Sequence, residues 1–225
     1  MYGNHDIWDA DETQKYTVNQ KRVSPYFKNI YARRRGINGY FTVVDDYYNV
    51  KYLVINNMEY PDTNMQTHRI TTAQAKFIVS ELSANDGYDI IILSHIPIDS
   101  ADVTLRDGTT GGFTTTFLSD ATANTSFHDM LAARKDKTSG IFTDSEGVEH
   151  SYDFSDASGD ILMSMHGHDH HEAYKTMENG VTEFLFDCMK DYDTLFYFGY
   201  IDRENKKFKY WRNEVGADAR EISIT

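Results

Sequence analysis

The residues able to do chemistry fall in three short stretches: Gly3-Asn4-His5-Asp6, Ser94-His95-Ile96-Pro97, and His166-Gly167-His168-Asp169-His170-His171. Between them they supply an amide oxygen, carboxylates and imidazoles, the groups that bind divalent ions or move protons. In the first stretch the Asn4 side-chain oxygen is a neutral hard ligand. The His5 imidazole is suited to donate a proton, and Asp6 beside it is placed to orient that ring and raise its basicity. Read alone, the same four residues also make an ordinary polar turn. In the third stretch, four imidazoles within six residues are hard to account for as packing. Extended geometry would point His168 and His170 the same way, so that both reach one centre, and Gly167 would permit close backbone approach. His166 and His171 read as an adventitious surface tract, and His68, His128 and His150 lack comparable context. No Gly-x-x-x-x-Gly-Lys-Ser/Thr loop and no Gly-x-Ser-x-Gly elbow occurs, which argues against a Walker-type nucleotide hydrolase and a serine hydrolase.

The elements that must carry these groups follow from pattern. Met1-Tyr2 reads as the last step of a strand delivering the Asn-His turn to a sheet's carboxyl edge. Residues Ala10 to Arg22 carry a weak helical period, and Ser24-Pro25 breaks it. Tyr40 to Val44 and Val50 to Ile55, rich in β-branched and aromatic residues, predict an antiparallel hairpin. Thr71 is placed to cap a helix whose apolar face is Ala75, Phe77, Ile78, Val79 and Leu82. Asn85-Asp86-Gly87 ends it. Asp89 to Leu93 is a continuous apolar run, predicting a strand buried on both faces that ends at Ser94-His95. From Asp99 to Ser158 the chain turns polar, with a short helix over Ser126 to Lys135 and otherwise loops at the site rim. Ile161 to Met165 predicts a strand running into the His cluster. Val181 to Met189 predicts another, and Thr194 to Ile201 with Phe208 to Trp211 a second hairpin. The aromatic stripe Phe196, Tyr197, Phe198 and Tyr200 reads as sheet packing.

At 225 residues the chain suits one sizeable domain or two small ones, and 40% hydrophobic with 14% aromatic residues fits a folded protein. A net charge of −13 argues against a nucleic-acid backbone or an anionic membrane as a constitutive partner. It leaves a phosphate substrate open, because bound metal ions reverse the local sign. The Arg33-Arg34-Arg35 cluster reads as a solvated loop, with phosphate steering as the alternative. A single cysteine, Cys188, excludes an internal disulfide framework and reads as a buried thiol. No run reaches the ~20 apolar residues of a membrane span. No signal-peptide pattern precedes Gly3, and compartment is left open.

Read in series, Gly3-Asn4-His5-Asp6, Ser94-His95 and Gly167-His168-Asp169-His170 resemble the third, fourth and fifth signature blocks of the calcineurin-like metallophosphoesterases. Thr72-Ala73-Gln74 before a helix and Ser94-His95-Ile96-Pro97 after a strand are also similar to that family. The resemblance runs from Gly3 to about Ile201, more loosely between Asp99 and Ser158. It implies an α/β fold of the two-sheet αββα sandwich type, N-terminally truncated, with residues 1–225 a single partial domain and 99–158 a loop-rich insertion. It further implies hydrolysis of phosphate mono- or diesters by water activated between two divalent ions (Mn, Fe or Zn) roughly 3.5–4 Å apart. Asn4, His95 and His168 would bind one ion and His170 the other. His5 would protonate the leaving oxygen, with Asp6 as its partner. The family's Asp-x-His and Gly-Asp-x-x-Asp blocks precede its Gly-Asn-His block and would supply the bridging carboxylate. Without them this chain is expected to hold at most one ion well, and to expose a sheet edge through which copies could associate. The alternative is a catalytically crippled fragment, or a non-catalytic binding or scaffold relative retaining part of the metal site.

Overall fold

The computed structural model describes residues 39–57, 68–112, 116–187, 197–213 and 218–224. The expectations for Asn4, His5, Asp6, the 10–22 helix, Arg33 to Arg35 and Cys188 lie outside these residues. The fold is mixed α/β, built on an eight-stranded mixed sheet.

The predicted hairpin is present as β1 (Phe41–Asp45) and β2 (Val50–Val54), paired antiparallel. Its turn is set locally: the Asp45 carboxylate accepts the Tyr47 and Tyr48 amides at 3.1 Å each, and Asn49 takes a positive φ of 51°. Helix α1 (Thr72–Leu82) begins where predicted, the Thr71 hydroxyl accepting the Gln74 amide. Its buried residues Gln74, Ala75, Ile78 and Leu82 follow the helical period. Strand β3 (Asp89–Leu93) lies parallel to β2, as a run buried on both faces requires.

Around the expected helix, the region 99–158 holds further regular elements where loops were expected. It contains β4 (Val103–Leu105), β5 (Thr110–Gly111), a long helix α2 (Ala121–Asp136) and a hairpin of β6 (Ser139–Thr143) with β7 (Glu149–Asp153). The helix starts earlier than predicted because Asp120 caps it, accepting the Ala123 amide at 2.8 Å. The apolar residues of this region are also core residues. Phe117, Phe127, Met130, Leu131, Phe142 and Phe154 are fully buried.

Strands β8 (Ile161–His166), β9 (Ala173–Thr176) and β10 (Thr182–Leu185) complete the large sheet, whose order is β1-β2-β3-β8-β10-β9-β4-β5. Its centre, β2-β3-β8-β10, is all parallel, with antiparallel strands on either side. A register irregularity interrupts β3–β8: Ile90 pairs with Ile161 and Ile91 with Met163, leaving Leu162 as the extra residue of a bulge. Strands β11 (Tyr197–Asp202), β12 (Lys207–Arg212) and β13 (Arg220–Ser223) form a three-stranded sheet, the first two making the second predicted hairpin.

Two apolar layers hold these parts together. On one face of the large sheet, Leu53, Ile90, Ile92 and Ile161 pack against α1, α2 and the β6–β7 hairpin. On the other, Ile91, Leu162, Met163 and Phe184 meet Phe208, Tyr210 and Ile222 of the smaller sheet, so two sheets stack face to face. Phe184 sits at the centre of that second layer, its ring 5.3 Å from Phe208 and 4.7 Å from Tyr210. The two described helices are neither long nor apolar enough to cross a membrane.

One buried carboxylate ties α1 to the β6–β7 hairpin. Asp144 accepts the Glu146 and Val148 amides at 2.8 and 2.9 Å, the Thr72 hydroxyl at 2.8 Å and His150 Nε2 at 2.7 Å. Burial pushes its carboxyl up, but the bonds from His150, Val148, Thr72 and Glu146 together outweigh this and hold it below the ordinary value. A carboxyl depressed in the folded state contributes stability above the unfolded value of about 4 and loses it as pH falls through the folded value. Asp144→Asn is expected to cost about 1–3 kcal/mol at neutral pH. Urea midpoints should fall between pH 5 and pH 3 by less in Asp144→Asn than in the wild type. Equal acid sensitivity in the two would show that Asp144 does not carry this dependence.

Candidate metal centre

Strands β3 and β8 are adjacent and parallel, so their carboxyl ends open on the same edge of the sheet, where α/β folds gather ligand groups. The ladder continues past both strands, with the Ser94 amide on the Met165 carbonyl at 3.3 Å and the Gly167 amide on the His95 carbonyl at 3.1 Å. This brings the second and third motifs together. His95 Nε2 lies 3.2 Å from His168 Nδ1, and their rings are nearly perpendicular with centroids 5.1 Å apart.

The backbone that presents His168 is not extended. His168 has φ 71° and His170 φ 58°, and the Asp169 amide donates to the Gly167 carbonyl at 3.0 Å across His168. That is a γ-turn with a non-glycine residue on the positive-φ side, a conformation that persists only where its surroundings enforce it. The expected parallel alignment of His168 and His170 along a strand is therefore overturned. Nor does Gly167 provide an unusually close approach, since a Cβ there would stand 3.6 Å from His95 Nδ1, in ordinary contact.

His166 is the larger surprise. It is not a surface histidine but fully buried beneath the turn. Its Nδ1 lies 2.7 Å from Ser94 Oγ, and Ser94 Oγ–H donates to the Ile96 carbonyl at 2.8 Å, so the ring N–H must be the donor in the first contact. Nε2 stands 3.0 Å from Glu183 Oε2, a close contact not aligned as a hydrogen bond. Glu183, equally buried, accepts the Ile98 amide at 2.5 Å and the Asp99 amide at 3.3 Å. Both ends of the loop that carries His95 are thus fastened to β8 and β10. From the segment just after β2, the buried Asn57 carboxamide adds a third fastening, donating to the Ile96 carbonyl at 3.2 Å and accepting its amide at 3.4 Å.

Downstream, Glu172 fixes the exit from the His turn. Its buried carboxylate accepts Arg106 Nη1 at 2.7 Å, Tyr210 OH at 3.0 Å and Tyr197 OH at 3.3 Å, with Arg212 Nη1 at 3.5 Å. Burial, then the Glu172 charge, raises both phenols above their ordinary value, so each serves as a neutral donor.

A third imidazole belongs to this edge. His68 stacks edge-on against His168 with centroids 5.9 Å apart, and its Nδ1 lies 2.7 Å from the Thr116 carbonyl. A carbonyl only accepts, so Nδ1 carries the proton. Burial holds this imidazole below its ordinary value, with the Thr116 bond opposing in part. Nothing in the local sequence around His68 signals this placement. Nor does it signal Glu183, whose amide partners Ile98 and Asp99 lie 85 and 84 residues away, or Asn57, whose carboxamide reaches Ile96 and Phe117, 39 and 60 residues away.

The donor set can be compared with a divalent site. Two nitrogens at about 2.0–2.1 Å from a tetrahedral Zn²⁺ stand roughly 3.3–3.4 Å apart. The 3.2 Å between His95 Nε2 and His168 Nδ1 fits two positions of such a sphere. Among the described residues no group of three or more His, Cys, Asp or Glu side chains could hold a metal ion. No protein-family model matches the chain, and no curated protein matches it in sequence.

Proposed function

We propose that this chain is a metal-dependent phosphoesterase of the calcineurin-like kind, hydrolysing phosphate mono- or diesters. The observation that carries the reading is the meeting of His95 Nε2 and His168 Nδ1, from motifs 73 residues apart, at the carboxyl edge of adjacent parallel strands. The stacked sheets, with helices outside the large one, support three of the four layers of an αββα sandwich among the described residues.

In this reading His95 and His168 would hold one ion together with Asn4, and His170 would serve a second. His5, with Asp6 as its partner, would protonate the leaving oxygen. A divalent ion held there would supply charge stabilisation to the phosphoryl group and would acidify a water for attack on phosphorus. The protein's own contribution is positioning. Ser94, His166 and Glu183 hold the His95 loop, and the γ-turn fixes where His168 presents its nitrogen. The candidate partner is a phosphate-ester substrate, and the acidic chain makes its local binding depend on the ion's charge.

The test is hydrolysis of an aryl phosphate monoester and of the diaryl diester with added Mn²⁺. His168→Ala is expected to lose more than the ~10–100-fold typical of removing a residue that only supports a ligand. Rates unchanged in His95→Ala and His168→Ala would overturn the reading. Ion binding without turnover would favour the non-catalytic relative.

A further inference from the structure

His68 is held more firmly than an incidental loop histidine would be. Its backbone amide donates to Ser119 Oγ at 2.7 Å, its carbonyl accepts the Ser119 amide at 2.9 Å, and its ring donates to the Thr116 carbonyl. All three bonds run to the segment that enters α2 at its Asp120 cap, and α2 is anchored in the core by Ala123, Phe127, Met130 and Leu131. The ring so fixed lies perpendicular, at 82°, against the imidazole of His168. His168 in turn is the central residue of the positive-φ turn, where a side chain needs external support to keep one orientation.

We propose that His68 is a positioning residue for His168: its ring, carried on a backbone fastened twice to Ser119, is the wall that sets the angle at which His168 Nδ1 meets His95 Nε2. The role belongs to the ring face and edge, not to a bond from His68 to the ion. It rests on the metal reading above and deepens it, since nothing in the three sequence motifs includes residue 68.

The full chain is titrated with cobalt(II), read by its visible d–d absorption, and zinc affinity is then measured by competition. His68→Phe keeps a ring of similar shape and loses the nitrogens, His68→Asn keeps a polar group and loses the ring, and His68→Ala loses both. His68→Phe is expected to bind cobalt within about threefold of wild type with the same band. His68→Asn and His68→Ala are expected to bind about 10–100-fold more weakly with a shifted band, as when a ligand loses its supporting partner. Equal weakness of the Phe and Ala variants would overturn the proposal in favour of a role for the nitrogens. Wild-type affinity in all three would overturn it outright. If His95→Ala also binds cobalt as the wild type does, the metal reading itself has failed, and with it the role of His68.

Discussion

Glu183→Ala is expected to destabilise the protein by about 2–6 kcal/mol, because two backbone amides lose their acceptor at about 1–3 kcal/mol each. Glu183 and His166 both have fully buried side chains. Removing the carboxylate leaves the Ile98 amide and the Asp99 amide facing a void without an acceptor. Against a total stability of roughly 5–15 kcal/mol for a domain, that loss leaves little reserve. Replacing both partners by apolar groups, Glu183→Leu with His166→Leu, should cost less than the sum of the single changes. The coupling arises because the two side chains face each other at 3.0 Å, so the second replacement packs beside a neighbour that is already apolar. Denaturant midpoints on the four proteins of this cycle check the claim. A single variant within about 1 kcal/mol of wild type, or a strictly additive cycle, would count against the network. The same change should loosen the His95 loop, whose Ile98 and Asp99 amides close on this carboxylate.

The second large effect is expected at Gly159, and it is steric. Gly159 has φ 67°, and a Cβ built there would stand 2.0 Å from the Tyr88 carbonyl oxygen and 2.6 Å from its carbon. These are backbone atoms of the chain entering β3, so they cannot swing aside. The glycine's own carbonyl accepts Arg134 Nη2 at 3.1 Å and Lys137 Nζ at 2.8 Å. Next to it the Asp160 amide is held by Asp89 at 2.8 Å. Gly159→Ala therefore combines a disfavoured backbone, about 1–3 kcal/mol, with overpacking of another 1–3 kcal/mol, giving about 2–6 kcal/mol in all. Gly147→Ala is the control, because Gly147 has φ 76° with nothing within 4 Å of the added Cβ. It should lose only the conformational part, roughly 1–2 kcal/mol. Equal thermal stability of the two alanine variants would show that the Tyr88 contact is not what excludes a side chain.

What the sequence made legible was local. The Thr71 cap, the Asp45 to Asn49 turn and the apolar run Asp89 to Leu93 each depend on neighbours a few residues away, and each is present where predicted. The β6–β7 hairpin carried a readable signal that composition concealed. His150 and Tyr152 alternate as buried residues with exposed Glu149, Ser151 and Asp153, but a stretch so polar does not look like a strand. Helix α2 was shortened for the opposite reason, since its first turn is Ala-Thr-Ala-Asn-Thr and only the Asp120 cap marks the start. In the candidate site, the motifs pointed to His95 and His168 but not to their backbone. Whether His168 is extended or turned depends on what the Gly167–Asp169 segment pairs with, and that is a tertiary fact. His68, Asn57 and Glu183 reach the site only through folding, so no spacing rule could have found them. His166 was misread because a histidine among histidines looks solvated, whereas its partners are a serine and a glutamate from other strands.

The extra residue at Leu162 has a consequence for the whole edge. Side chains along a strand alternate between faces, so a reader counting from Ile161 would assign Met163 and Met165 to its face and His166 to the opposite one. The bulge inverts that count. Leu162 and Met163 both turn toward the smaller sheet, Met165 packs there too, and Ile161 remains with the helices. An odd-even shift of one place at Leu162, four residues before the strand ends at His166, thereby chooses the layer into which His166 projects. It is a parity bit in the backbone, and the pairing of His166 with Ser94 and Glu183 is how the fold reads it.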